Sequence, residues 1–131
     1  MSRFLCYVSL AFLLLGVSSC EKEEVQKVEQ KRSYPGDVQV LNSCGIKGAA
    51  SSMRNYLRSQ GFDVVAISND RLQNYEETIL VIHTPGWEGE EALAKALKTK
   101  NVLHVQNKRA YVEASVYIGR DLEKIIQQDD L

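Results

Sequence analysis

The sequence has few of the residues that build common catalytic and metal sites. Its 131 residues include two histidines, one tryptophan and three cysteines. The histidines, His83 and His104, stand in separate segments and lack the ligand spacing of a metal site. The 16 basic and 17 acidic side chains give a net charge of −1, with no basic stripe of the kind that nucleic-acid binding requires. We therefore expect no metal, no cofactor and no nucleic-acid partner.

Long apolar runs are also scarce, and the longest one is at the N-terminus. Residues 4–16 form an apolar segment that follows Arg3. A membrane span needs about 20 apolar residues, so this length favours a secretory signal. The small residues Ser18 and Ser19 follow the segment. We predict a signal peptide over residues 1–19, with a retained single-span anchor as the alternative.

Residues 17–20, Val-Ser-Ser-Cys, resemble a bacterial lipobox. The resemblance implies that Cys20 receives a diacylglycerol thioether and that cleavage follows Ser19. It also implies N-acylation in many bacteria, with fatty acids such as palmitate. Two or three acyl chains are enough for stable membrane anchoring. We predict a lipoprotein held through Cys20 on the cell membrane or the outer membrane, facing the periplasm or the exterior.

The scarcity of cysteine then leaves one unpaired thiol. Cys6 departs with the signal peptide and Cys20 becomes a thioether, so Cys44 has no internal disulfide partner. An unpaired thiol is uncommon in an oxidising compartment. Cys44 is therefore either free or paired with another chain.

The next segment, residues 20–36, mixes acidic and basic side chains with few apolar ones. Such a segment cannot bury a helix face, so we predict a solvated tether or a frayed helix. A flexible chain of this length spans roughly 20–25 Å. Pro35 and Gly36 mark the predicted start of the folded domain at residue 37.

Residues 37–126 alternate between strand and helix patterns. Apolar spacing from Ile46 to Leu57 predicts a helix that ends at Gly61, with Phe62 packing back on Leu57 as in a Schellman motif. The predicted strands cover residues 38–41, 63–68, 78–83, 101–106 and 114–118, a second helix covers residues 88–98, and a last helical turn precedes an acidic tail at residues 127–131.

This order predicts an α/β (α+β) fold, a β-α-β-β-α-β-β two-layer sandwich. Residues 69–77 are too few for a crossover helix, so the third strand should run antiparallel to the second. We expect a mixed sheet with two helices on one face, in a ferredoxin-like arrangement. An open parallel sheet is the alternative. The continuous apolar run of residues 78–83 is typical of a buried central strand.

Several segments resemble the LytR C-terminal domain family. Residues 38–50 read V-Q-V-L-N-S-C-G-I-K-G-A-A, similar to the family pattern V-x-V-L-N-G-T-G-V-x-G-L-A. Further matches lie at residues 57–64, 75–78, 93–97 and 116–121. The chain departs from the pattern where Ser43 replaces the usual Gly and Cys44 the usual Thr or Ser.

The resemblance implies an accessory domain of the cell envelope. The family occurs behind the catalytic domain of LytR-CpsA-Psr proteins, which attach glycopolymers to the bacterial wall, and also alone behind a membrane anchor. That catalytic domain has no counterpart here, so we expect no enzymatic activity. The predicted function is docking to an envelope protein or a wall polymer. Direct binding of peptidoglycan or another glycan is the alternative, and a thiol enzyme that uses Cys44 is a third possibility.

The turn at residues 42–48 contains most of the candidate binding residues. Asn42, Ser43, Cys44, Gly45 and Gly48 precede a helix N-terminus, where free amides can hold a phosphate or a carboxylate. The competing interpretation is that Asn42 or Ser43 caps the helix while Gly45 and Gly48 permit a close turn.

Two further side chains have both a functional and a structural interpretation. Cys44 would be a nucleophile only with a base nearby, and His83 could approach it if the strand-to-helix turns of the two β-α-β units lie close together. Trp87 could stack on a sugar ring or a partner protein, or it could cover the core as a hydrophobic staple.

Overall fold

Strands and helices alternate along residues 33–127, the part of the chain that this computed structural model describes. In that range the elements are β1 (Asp37–Asn42), α1 (Ala49–Ser59), β2 (Asp63–Asn69), β3 (Ile79–Ile82), α2 (Glu90–Leu97), β4 (Val102–His104), β5 (Ala114–Ile118) and α3 (Leu122–Ile126). The predicted signal peptide, Cys20, most of the tether and residues 128–131 lie outside it. Among the described residues, no helix is long and apolar enough to cross a membrane.

The strands form one mixed sheet in the order β2-β1-β5-β3-β4. β1 is parallel to both β2 and β5, β3 is parallel to β4, and β3 and β5 are antiparallel. The predicted two-layer sandwich with a mixed sheet is confirmed. The strand order differs from the split β-α-β units of a ferredoxin-like sheet, because each unit here keeps its two strands adjacent.

The fifth strand joins the two units into one sheet. β5 lies between the two β-α-β units, next to β1 on one side and β3 on the other. Its helix-facing side chains Ala114, Val116 and Ile118 are fully buried, which an inner strand allows and an edge strand does not. β2 and β3 run in opposite directions, as predicted, but they are not neighbours.

All three helices pack on one face of the sheet. α1 buries Ala49, Ala50, Met53, Tyr56 and Leu57, which is the apolar stripe that its spacing predicts. α2 adds Leu93 and Leu97, and α3 adds Leu122 and Ile125, to the same core cluster. Each fully buried aliphatic side chain contributes about 1.5–3 kcal/mol relative to an exposed one.

The end of α1 is the predicted Schellman motif. The amide of Phe62 donates to the Leu57 carbonyl at 3.1 Å, and the amide of Gly61 donates to the Arg58 carbonyl at 3.1 Å. Gly61 has a φ of 97°, which favours glycine because it lacks a Cβ atom.

The folded unit begins before the predicted boundary at residue 37. The amide of Tyr34 donates to the Gly61 carbonyl at 3.0 Å. The Tyr34 ring stacks on Phe62 with a centroid separation of 4.7 Å, and the Pro35 carbonyl accepts a hydrogen bond from Trp87 Nε1. Residues 34–36 therefore belong to the domain.

Candidate functional site

Asn42 organises the turn between β1 and α1 with its own side chain. Its Oδ1 accepts hydrogen bonds from the amides of Cys44 and Gly45, each at 3.2 Å. Its Nδ2 donates to the Ile46 carbonyl at 2.7 Å. This is an Asx turn, in which a short amide side chain replaces backbone partners. The side chain is thereby fully engaged in shaping the loop.

The prediction that Asn42 or Ser43 caps α1 is wrong. The residue before the helix is Gly48, with a φ of 81° and no side-chain cap on the helix. Ser43 Oγ instead donates to Asp70 Oδ2 at 2.9 Å, which ties the turn to the residue that follows β2. Several loop residues separate β1 from α1, so these side chains bond within the loop and not to the helix end.

The same contacts limit what this turn offers to an anion. The amides of Cys44 and Gly45 already point at Asn42 Oδ1, and the Asp70 carboxylate lies beside Ser43. Gly45 and Gly48 are exposed and have positive φ values of 75° and 81°. The glycines thus serve the left-handed backbone of the turn.

Cys44 is buried and has no histidine beside it. Its side chain is 3% exposed, and Sγ lies 3.2 Å from Asn42 Oδ1. The turn bonds to the end of β5, because the amide of Ser43 donates to the Ile118 carbonyl. His83 bonds to the start of β5, through its amide and the Glu113 carbonyl. The structure therefore does not bring His83 and Cys44 together, since antiparallel pairing of β3 and β5 places them at opposite ends of the sheet.

Trp87 covers the core at the end of the sheet away from that turn. The ring is 9% exposed and lies 6.4 Å from Phe62 between centroids. A Cβ atom at Gly89 would lie 2.3 Å from Trp87 Cζ2, so the indole packs directly on the Gly89 backbone. The structure does not bring Trp87 together with the Asn42–Gly48 residues into one site.

A different surface stands out on the face of the sheet without helices. Val81 of β3 is paired with Leu103 of β4 and Ser115 of β5, so their side chains share this face. Leu103 and Val105 are each 52% exposed. We call the groove of about 310 Å³ on this face the open-face groove; it is lined by Tyr75, Ile79, Val81, His83, Leu103, Val105 and Tyr117.

A chain of hydrogen bonds borders the open-face groove. Tyr111 OH donates to Gln39 Oε1 at 2.8 Å, and Gln39 Nε2 donates to Ser115 Oγ at 2.7 Å. His83 Nε2 lies 2.8 Å from Ser115 Oγ, and His83 Nδ1 lies 3.3 Å from the Val105 carbonyl. A carbonyl only accepts, so we assign the proton to Nδ1, and the Ser115 hydroxyl then donates to Nε2. Ser115 is fully buried, so its hydroxyl is not exposed to solvent.

Tyr117 lines the groove beside Tyr75. Burial, followed by the nearby Asp70 carboxylate and Tyr75, raises the pKa of the Tyr117 phenol above its ordinary value. The Tyr75 and Tyr117 rings stack with centroids 6.3 Å apart. The phenol therefore stays neutral to a higher pH than an ordinary tyrosine does.

Two sequence signals point to this surface, although neither identifies it alone. Residues 78–83 are apolar on both sides of the strand, and Leu103 and Val105 alternate with His104. Alternation shows that two faces exist but not which one the helices cover. Elsewhere, no group of three His, Cys, Asp or Glu side chains within residues 33–127 could hold a metal ion.

Comparison with known proteins places the fold in a family. Residues 37–122 match the family described as LytR cell envelope-related transcriptional attenuator. Searches of curated proteins and of solved structures found no match. The matched range runs from the first residue of β1 to the first residue of α3. The chain thus belongs to the LytR C-terminal domain family and carries a cell-envelope-associated domain of the attenuator type.

Proposed function

We propose that this protein is a non-catalytic docking component of the cell envelope. In this proposal Cys20 is acylated and holds the chain at a membrane surface, and the domain binds an envelope protein or a wall polymer. Mass spectrometry of the mature chain tests the anchor. An acylated Cys20 at the N-terminus is expected, and an unmodified N-terminus at another residue would refute it.

The observation that carries the docking proposal is the open-face groove. β3 is apolar on both sides, which is typical of a strand covered on both faces. Leu80 and Ile82 pack in the helix-side core, whereas Ile79 and Val81 line the groove. Exposed apolar patches on soluble proteins mark interaction sites. An envelope protein with a complementary apolar surface is therefore the partner that we favour.

The surroundings of two potential nucleophiles, Cys44 and Ser115, support the absence of catalysis in this proposal. One lies near each end of β5. Cys44 is buried and far from His83, and the Ser115 hydroxyl is fully buried within its hydrogen-bond chain. A nucleophile needs both a base and access to its substrate. Neither side chain has both, so we assign them structural roles.

Photocrosslinking in cells tests the docking surface. A photoreactive amino acid at Leu103 should give adducts with one or a few envelope proteins. The matched control is the same amino acid at Asn55, an exposed residue of α1, which should give few adducts. Equal adducts at both positions would contradict docking through the open face.

Direct binding of a wall glycan is the second candidate function. It is favoured by a separate groove on the helix side, where aromatic rings and lysines lie together. Pull-down with purified sacculi separates the two candidates. Retention on sacculi without any other protein supports glycan binding, whereas retention only after adding envelope extract supports docking to a protein.

A further inference from the structure

A groove of about 330 Å³ lies between α1 and α2 on the helix side of the molecule. We call it the α1–α2 groove. It is separate from the open-face groove, because the two grooves share no lining residue. Its main side chains are Tyr34, Tyr56, Phe62, Lys95 and Lys98.

Aromatic rings form the floor of the α1–α2 groove and are held in place. Tyr34 stacks on Phe62 with an interplanar angle of 13°. The Tyr56 hydroxyl donates to the Ala96 carbonyl at 2.8 Å, which links α1 to α2. Rigid tyrosine side chains supply contact area at low entropic cost and favour ligands that have both apolar and polar faces.

Two lysines, Lys95 and Lys98, give the groove a positive charge. The ion pairs within residues 33–127 join His104 to Glu90 and Arg120 to Glu76, so neither Lys95 nor Lys98 has a carboxylate partner there. Within the described part of the chain, no acidic side chain lines the groove. Lys98 Nζ donates to the Ile125 carbonyl at 3.1 Å, which orients this ammonium group and leaves it further donors.

We propose that the α1–α2 groove binds an acidic saccharide, that is, a sugar ring that carries a carboxylate or a phosphate. The apolar C–H face of the ring would lie on Tyr34, and the anionic group would lie between Lys95 and Lys98. The groove volume is at the lower end of the range for small-molecule sites, which suits one or two rings. This proposal rests on the second candidate function and specifies its ligand.

The aromatic floor separates this ligand from a charged membrane surface. An anionic bilayer attracts lysines by charge alone, at about 1 kcal/mol for each, and needs no ring platform. A neutral glycan would use the rings and could accept hydrogen bonds from the lysines, but it would gain no attraction between opposite charges. A ligand that uses both sets of side chains carries a sugar ring and a negative charge together.

Calorimetric titration of the full-length chain in neutral detergent tests the proposal. The probe is a short oligomer of galacturonic acid, and the matched control ligand is its methyl ester, which keeps the rings but has no charge. We expect the acid to bind roughly fivefold or more tightly than the ester, and its affinity to fall with added salt. Equal affinities for acid and ester, or no binding of the acid, would overturn the proposal.

Variants locate the binding in the groove. Lys95→Gln and Tyr34→Leu should each weaken binding of the acid by roughly threefold or more. Lys108→Gln, which removes an exposed lysine from a loop outside the groove, should leave it unchanged. Thermal unfolding of each variant checks that the fold is intact. Lys98→Asn provides a second neutral variant. Asparagine tolerates the left-handed backbone at this residue, whose φ is 51°.

Two outcomes distinguish this proposal from the docking function. Vesicles with anionic lipid that bind in a Lys95-dependent manner, when the oligomer does not bind, would assign the lysines to the membrane and refute the saccharide. Crosslinking from Leu103 should be unaffected by Lys95→Gln. If the otherwise wild-type chain gives no crosslinks from Leu103 while the calorimetric titration shows that the oligomer binds, docking is refuted and the saccharide site is not.

Discussion

The two faces of the sheet are built from the same strands, yet their apolar side chains have different surroundings. On the helix side, Leu80 and Val116 are fully buried in one continuous core. On the open side, Leu103 and Val105 remain half exposed beside a chain of polar contacts. The helix side therefore contributes stability within the domain, while the open side leaves apolar surface exposed among residues 33–127.

The largest expected effect is a truncation on the helix side. Leu80→Ala removes a fully buried side chain and leaves a cavity, so we expect the free energy of unfolding to fall by about 2–5 kcal/mol. Leu103→Ala is the matched truncation on the open side, and we expect a loss within about 1 kcal/mol. Urea unfolding of both variants measures the difference.

If the two faces differ in this way, the order of the two variants should reverse when partner binding is measured in place of stability. Leu103→Ala should reduce recovery of the crosslinked partner from a photoreactive residue placed at Val105, although the domain stays folded. Similar losses of stability for the two truncations would show that the open face is covered within the chain, and would remove the argument for a partner there.

We expect a change of intermediate size in the free energy of unfolding when the hydrogen-bond chain of the open face is broken. Ser115→Ala leaves Gln39 Nε2 and His83 Nε2 without their shared partner, so we expect a loss of about 1–3 kcal/mol in the free energy of unfolding. Ser115→Thr keeps the hydroxyl and is the control. If Ser115→Ala and Ser115→Thr are equally stable, the chain of polar contacts does not support the sheet.

Local features of this fold could be predicted from the sequence because their signals lie close together in the chain. The stripe of α1 through Met53 and Leu57 and the Schellman motif at Gly61 both depend on contacts between near neighbours. The strand order could not be predicted in the same way. β5 pairs with β1 across more than seventy residues, as Val38 with Ala114, and no local pattern specifies that partner.

The candidate site was harder to predict for a related reason. Asn42 is equally compatible with a helix cap and an Asx turn, and the choice depends on the left-handed backbone at Gly48. The direction of β3 relative to β5 separates His83 from Cys44. The open-face groove forms only when Tyr75, Tyr117 and Leu103 meet from three distant segments, so no spacing in the sequence reveals it.

The resemblance to the family also has a structural basis that sequence spacing does not show. Two of its matched segments, residues 75–78 and 116–121, contact each other directly. Asp121 Oδ1 accepts hydrogen bonds from the Thr78 hydroxyl at 2.7 Å and from the Thr78 amide at 3.1 Å, and the Gly119 amide donates to the Thr78 hydroxyl at 3.1 Å. These bonds join the entry of β3 to the exit of β5, and so hold together the central strands beneath the open face.

The smallest expected effect is a dependence of stability on alkaline pH through Tyr117. Burial, the Asp70 carboxylate and Tyr75 raise the pKa of this phenol in the folded state above its ordinary value of 10.0. The folded state then holds the proton more tightly than the unfolded state does. The resulting stability is complete below pH 10 and is lost as the pH rises through the folded-state pKa. Tyr117→Phe should flatten this part of the decline in a urea-unfolding series from pH 9 to pH 11.

The same phenol reports on whether the open face is covered. A partner seated on the groove would bury Tyr117 further and raise its pKa again, because desolvation disfavours the phenolate. Ultraviolet titration of the isolated chain and of the crosslinked complex compares the two states, with Tyr117→Phe assigning the signal among the other tyrosines. An identical titration in the complex would mean that the partner contacts the domain elsewhere, and that the apolar side chains of the open face remain in water.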